Sequence, residues 1–408
     1  MMWLVHRRRL LLYASAFLMD LGTYSGYIAI PFRVQDRMKA GLRTHGLLAL
    51  ILLATYLLLC PLVGRLAPRG ARRRAFIVAG PLVVAGAYIL VAAATAVWHV
   101  AALTVVMAAG RALFWPSLEA EIGGAASGRA LGRRVGTFNI AWSVGIALAP
   151  ALAGWTYSLN PVLPFRIATG VGLAIALLLT LYRRLCRHEE RTPEPSNDAQ
   201  PGASLDSRGP TAAVAGAVAV TFVWLAWLGN FVGYANIDVA HTLFQQLGRA
   251  ERLADPHTGW LIAVLGAART ATFIVLFVTH RWVYRRWLLF LGPAAMLSGG
   301  GLLSLSLSGA PGSAVMPVAM ALMGIGAGLA YTASIFYSVE ASRHHKVTTG
   351  HHEAVRAAGG VVGLLLAGQV APWLTQVDPR SPFYACATLT AVCLLGQIVI
   401  CVRRRYRS

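Results

Sequence analysis

The feature that most constrains this chain is a succession of apolar stretches, each about as long as a bilayer is thick, separated by short polar gaps. A helix crossing the hydrocarbon core needs about 20 mostly apolar residues. Twelve such stretches are read here, spans 1 to 12, near residues 10–32, 45–67, 75–97, 99–120, 135–157, 162–182, 211–234, 258–279, 286–308, 313–338, 352–373 and 382–402. A backbone in lipid must satisfy its own hydrogen bonds, and the ten-residue alternation of a membrane barrel is absent, so an all-α, polytopic membrane protein is predicted. With 12% charged and 57% hydrophobic residues, the 408-residue chain has too little polar surface for a soluble fold, in which about a quarter of residues are charged.

The net charge of +21 would suit a nucleic-acid binder only on a basic folded domain. The arginines lie instead in short loops between spans, so the expected surroundings are a lipid bilayer and no nucleic acid. Most of them fall on the side that carries both termini, including His6-Arg7-Arg8-Arg9 and Arg403-Arg404-Arg405. The positive-inside rule then predicts a multi-pass protein of a cell (inner) membrane with both termini cytoplasmic. The opening MMWLVHRRRLLLYASAFL has the order of a secretory signal, but its apolar run continues to Ile30 and is read as the first span. Cys60, Cys186, Cys386, Cys393 and Cys401 show no metal-type spacing and imply no disulfide framework. No cofactor is expected.

The longest internal polar stretch, Arg183 to Pro210, is charged, rich in Pro, Gly and Ser, and unable to bury a core. It divides the chain into a six-helix bundle over 1–182, a cytoplasmic linker over 183–210 and a second six-helix bundle over 211–408. The halves resemble each other. Leu21-Gly22 and Gly26-Tyr27 of span 1 recur as Leu228-Gly229 and Gly233-Tyr234 of span 7, at an offset of 207. Gly136, Gly145, Ala153 and Gly154 of span 5 recur as Gly350, Gly359, Ala367 and Gly368 of span 11, at an offset of 214, with Ala149 answering to Gly363. Parallel six-span repeats are a plan of secondary carriers, which bind substrate between the halves and rock them.

Two motifs carry a resemblance to the major facilitator superfamily. The loop GRLAPRGARRR, Gly64 to Arg74, resembles that family's G-x-L-a-D-r-x-G-r-k, with Pro68 where aspartate is expected and Gly70 one residue early. GIALAPALAG, Gly145 to Gly154, resembles G-x-x-x-G-P-x-x-G-G, which the family associates with exporters and antiporters; Ala149 and Ala153 replace two of its glycines. The resemblance implies tight packing of span 5 through Gly145, Pro150 and Gly154, and of span 11 through Gly359, Gly363 and Gly368. It also implies a cytoplasmic gate whose aspartate is missing here. Arg69, Arg72, Arg73 and Arg74, with Arg285 and Arg286, and the carboxylates Glu119, Glu121 and Glu340 are candidates to hold that gate; solvated loop charges are the alternative.

Ionisable residues deep in a span are costly and are therefore functional candidates. They are Asp20 in span 1, Arg111 in span 4 and Arg269 in span 8. The resemblance implies that spans 1, 4, 7 and 10 line a central cavity, so that Asp20 and Arg111 face each other or a shared substrate. Helical spacing puts Tyr13, Phe17, Asp20, Tyr24 and Tyr27 on one face of span 1. The matching face of span 7 is Trp224, Trp227, Phe231 and Tyr234, continuing to Asp238 and His241, which are expected at the outer surface. Ordinary packing is the alternative for each aromatic. Two uses of Asp20 stay open, proton coupling or an ion pair with Arg111, while Arg111 could instead clamp an anionic substrate. Arg269 is expected to meet Asp238 or to snorkel. Asn139, Asn230, Asn236 and Gln369 are secondary polar candidates.

One cluster suggests another class of function. His344, His345, His351, His352 and Glu353 surround the start of span 11, where histidines beside a carboxylate could bind metal or act as acid and base. HExxH spacing is absent, and a gate-associated cluster without metal is preferred. The sequence therefore predicts a carrier that moves a small-molecule substrate by alternating access, in the first reading exporting an amphipathic organic compound, of the apolar or cationic kind an aromatic cavity could hold, in exchange for protons. An importer of the same fold, a membrane enzyme built on the histidine cluster and a sensor that has lost transport are the alternatives.

Overall fold

A computed structural model describes residues 2–40, 42–66, 70–124, 126, 128–191, 210–250, 255–279, 282–306, 314–341, 349–367 and 380–405. Span 1 consists of α1 (Met2–Leu18), a π-helical turn (Met19–Thr23) and α2 (Tyr24–Met38). Spans 2 to 7 are α3 (Leu42–Leu66), α4 (Gly70–Ala93), α5 (Val97–Gly123), α6 (Gly128–Leu159), α7 (Leu163–Arg191) and α8 (Pro210–Ala250). Spans 8 to 12 are α9 (Asp255–Thr279), α10 (Arg286–Ser306), α11 (Val315–Ala341), α12 (Thr349–Leu365) and α13 (Ser381–Arg405). Ten of these helices are long and apolar enough to cross a membrane. The other two positions are span 1, broken by its π-turn, and span 11, whose described α-helix has 17 residues.

Two predicted boundaries shift in ways that matter. Span 7, predicted to end at Tyr234, continues as helix to Ala250, because ANIDVAHTLFQQLGRA holds no proline and only one late glycine to stop it. Asp238 and His241 are thereby kept inside the protein rather than at its outer surface. The linker predicted from Arg183 begins as helix, since α7 runs to Arg191; residues 192–209 lie outside those described.

The two sets of six helices meet chiefly along two seams, span 2 with span 11 and span 5 with span 8. Gly136 of span 5 faces Phe277 of span 8, where an added Cβ would come within 2.6 Å of the ring. Gly350 of span 11, its partner at offset 214, faces the Cys60 carbonyl of span 2 with no room for a Cβ. The repeat seen in sequence thus places equivalent glycines at equivalent seams. Within each half, Gly145 brings span 5 onto the backbone of span 1, 2.5 Å from a built Cβ to the Phe17 carbonyl oxygen, and Gly363 does the same for span 11 on Ala235 at 2.6 Å. Gly359 abuts the Phe231 carbonyl. Gly154, expected to pack, instead faces open space at an exposed position; Gly368 lies outside the described residues.

Candidate substrate cavity

Between the halves lies a cavity of about 140 Å³. Its lining residues come from the middle of the spans and from their ends opposite the termini, so the cavity lies toward the side away from the termini. Asp20, Tyr24 and Tyr27 of span 1 line it, as do Arg111 of span 4, Trp142 and Pro150 of span 5, and Tyr234, Asp238 and His241 of span 7. Asp20 sits in the π-turn, a distortion that re-aims side chains and recurs at functional sites. Gly22 of that turn packs against Val171, and the Tyr88 hydroxyl donates to the Thr23 carbonyl. Gly145 lies directly behind the Asp20 Cβ, so close packing of span 5 helps present the carboxylate.

Asp20 and Arg111 do not form an ion pair. Both reach the cavity, and Arg111, Arg356 and Arg269 are the cations whose fields act on Asp20. Arg269 neither snorkels nor pairs with Asp238. It is 1% exposed, its guanidinium lies 4.9 Å from the centroid of the Trp142 ring, and its Nε and Nη2 are buried without a hydrogen-bond partner. Asp238 likewise keeps a buried, unpartnered Oδ2, in space left by Gly360. Near the cavity mouth the Tyr24 hydroxyl and His241 Nδ1 stand 3.1 Å apart, joining span 1 to span 7.

Trp227 and Phe231 are not cavity residues. Trp227 donates from Nε1 to Ser338 Oγ at 2.8 Å and stacks parallel to His351, while Phe231 supports span 11 through its backbone. Of the predicted aromatic faces, Tyr24 and Tyr27 of span 1 and Tyr234 of span 7 line the cavity. Asn139 donates weakly to Thr332 across the halves, and Asn236 donates to Thr390 at 2.9 Å; both act as interhelical bonds. Gln369 lies outside the described residues.

The cavity floor is a polar network that sequence reasoning did not assemble. The Tyr56 hydroxyl and Arg356 Nε both donate to Glu353 Oε2, at 2.5 and 2.8 Å. Arg356 also lies over the Tyr234 ring at 4.8 Å and the Tyr56 ring at 5.1 Å. The Tyr331 hydroxyl donates to Glu119 Oε1 at 3.3 Å, and a carboxyl oxygen of Glu119 lies within 4.8 Å of one of Glu353. Spans 2, 4, 10 and 11 are joined here across the two halves. Arg356 stands three residues after Glu353 in a mostly apolar span, and that intramembrane spacing was the available signal.

The other gate candidates behave differently. Arg73 lies 3.6 Å from Glu121 and donates to the Ala120 carbonyl, and Tyr182 donates to Glu121 at 2.6 Å, all within the first half. Arg72 is exposed and donates to the Leu66 carbonyl. Arg285 and Arg286 are exposed in and beside the loop before span 9, and Arg69 lies outside the described residues. Glu340 lies near Tyr284, whose phenol is raised above its usual range by burial and then by the Glu340 charge. Glu119 is the gate carboxylate that crosses between the halves. The histidine cluster divides: His351 stacks on Trp227, His352 Nδ1 meets Ser334 Oγ at 2.8 Å, and His344 and His345 lie outside the described residues.

Glu119, His352 and Glu353 bring one ligand-type atom each within 4.8 Å of one another. Arg356 already places a fixed positive charge on Glu353, which opposes a second cation there.

Two six-helix halves around a polar, membrane-embedded cavity define a secondary transporter. The chain belongs to the Major Facilitator Superfamily, whose family model matches residues 12–351. Among solved structures it is similar in fold to the human organic anion transporter MFSD10 (TETRAN), at TM-score 0.71 and 15% sequence identity, over 96% of this chain and 99% of that one. No curated protein matches it.

Proposed function

We propose that this transporter exports a small amphipathic organic anion in exchange for protons, by alternating access across a cell membrane, with both termini in the cytoplasm. The observation that carries the anion is Arg269, a buried cation on the cavity wall with two unpartnered guanidinium nitrogens, held over Trp142. A desolvated guanidinium without a carboxylate is costly, and a bound anion would complete it. Arg111 supplies a second positive charge to the same cavity, and Tyr24, Tyr27, Tyr234 and Trp142 offer aromatic surface for the organic body. MFSD10, which shares the fold, is itself described as an organic anion transporter. Asp20, Asp238 and Glu353 line this cavity; Glu353 is held by Arg356, and Asp20 and Asp238 are the proposed sites for the exchanged protons.

The span 5 motif supports export, and the concentration of arginines on the terminus-bearing side supports the orientation. In that orientation the cavity faces outward, the state in which an exporter releases its cargo.

The test is flux in proteoliposomes holding the full chain, with a mixed set of organic anions and cations and an imposed proton gradient. Anion-selective flux that follows the gradient and is lost in Arg269→Gln and Asp20→Asn is expected. Flux confined to cations, or anion flux indifferent to Arg269, would overturn the substrate class; flux running with the protons rather than against them would make the chain an importer.

A further inference from the structure

We propose that Glu119 and Glu353 hold one proton between them, and that this shared proton locks the two halves together on the terminus-bearing side. The site forms the floor of the cavity, which Glu353 and Arg356 line, and uses carboxylates other than Asp20 and Asp238.

Glu119 belongs to span 4 of the first half and Glu353 to span 11 of the second, and both are 2% exposed. A carboxyl oxygen of one lies within 4.8 Å of a carboxyl oxygen of the other. Two ionised carboxylates this close in a buried site repel each other, so one of them carries a proton. The donors already present say which one. Glu353 receives Tyr56 and the charged Arg356, whereas Glu119 receives only Tyr331 on Oε1 and keeps a buried Oε2 with no donor. The proton therefore belongs on Glu119.

Charge balance leads to the same place. Arg356 is the cation in contact with the pair, so two ionised carboxylates would leave one buried negative charge unopposed; one proton makes the group neutral. The remaining neighbours do not supply a second cation in contact. Tyr234 offers Arg356 a ring face, Cys60 of span 2 is a buried thiol beside Tyr56, and Asp20 is itself acidic. His352 Nε2 is 3.6 Å from Glu353 Oε1 and makes no hydrogen bond, while its Nδ1 is engaged with Ser334.

Loss of the proton would set two like charges across the seam where spans 2 and 4 meet spans 10 and 11. Their repulsion favours separation of the halves there, so the site couples proton release to opening on the terminus-bearing side. The loop aspartate that Pro68 replaces is one reason a lock is needed elsewhere. The proposal rests on the alternating-access reading for the purpose of that opening. Its test contains no substrate, so the proposed substrate class and the lock can fail independently.

Cys60 is a native reporter, buried at the seam against Gly350. In the full chain with Cys186, Cys386, Cys393 and Cys401 changed to serine, alkylation of Cys60 by N-ethylmaleimide is followed over a pH series. Each rate is divided by that of the denatured chain at the same pH, and the series is kept below about pH 7.5, where folded and denatured thiols ionise in constant proportion and the ratio is free of thiol ionisation. The normalised rate is expected to rise at least tenfold as pH increases. In Glu119→Gln it should stay at the protected level throughout, because the amide is uncharged at every pH, as the protonated acid is. The infrared carbonyl band of an un-ionised carboxylic acid should diminish in the same variant.

A pH-independent rate in the parent chain, or a Glu119→Gln variant that titrates like the parent, would overturn the proposal. Protection that EDTA removes and Zn²⁺ restores would overturn it in favour of a metal site. The parent series decides the question even where the variant fails to fold.

Discussion

The carboxylate of Asp238 occupies the space beside the Cα of Gly360 that any other residue there would fill with its own side chain. An acidic residue of span 7 therefore reaches the cavity only because span 11 is smooth at that point. Gly360→Ala must displace the carboxylate or part the helices, at a cost of about 1–3 kcal/mol for overpacking. Proton-driven flux should fall at least tenfold while the folded protein is retained, as thermal unfolding in detergent and flux on the same preparation would show.

Arg269 combines charge with a planar contact on Trp142, and its two replacements separate these properties. Arg269→Lys keeps the charge but loses the stacked plane and the fork of donors. A hydrogen bond to a charged group is worth about 1.5–3 kcal/mol, so loss of one bond of the fork should lower anion affinity by about 10- to 150-fold in the lysine variant. In Arg269→Gln, preference for anions over neutral analogues should disappear as well. Competition binding with matched anionic and neutral ligands distinguishes the two outcomes.

Arg356 is the counter-charge of the floor network. Arg356→Gln leaves the buried Glu353 without its cation, and breaking a buried pair in this way costs about 3–5 kcal/mol. The state closed on the terminus-bearing side bears that cost, so the population should shift toward opening there. Spin labels on spans 4 and 10 near Gly123 and Val339, which touch in the closed seam, should report a longer distance.

At the opposite end the contact between Tyr24 and His241 bridges the halves across the cavity mouth. Tyr24→Phe removes a hydrogen bond worth about 0.5–1.5 kcal/mol. The cavity should then be open to the opposite side more often, measured as several-fold faster labelling of a cysteine placed at Thr242, with little change in thermal stability.

Span number, helical class and the two-fold repeat could be read directly from the residues, because each depends on local quantities: the length of an apolar run, the absence of strand alternation, glycines at constant offset. The repeat even anticipated that Gly136 and Gly350 would occupy equivalent seams. Asp20, Arg111 and Arg269 stood out for a similar reason, since a charge in an apolar run is conspicuous whatever surrounds it.

Partnership was not legible. Arg269 was expected to meet Asp238 or to snorkel and lies on Trp142; Asp20 and Arg111 were expected to face each other or a shared substrate, and they share the cavity unpaired. Glu119 and Glu353 stand 234 positions apart, and their contact exists only because spans 4 and 11 cross at the seam. Composition along a chain decides which segments leave water for lipid and coil into helices, since those energies are summed residue by residue. Which charge meets which depends on how the helices tilt, on a π-turn that re-aims Asp20, and on where glycine lets one backbone approach another. Those are properties of the packed molecule, settled by the fit of whole helices against each other.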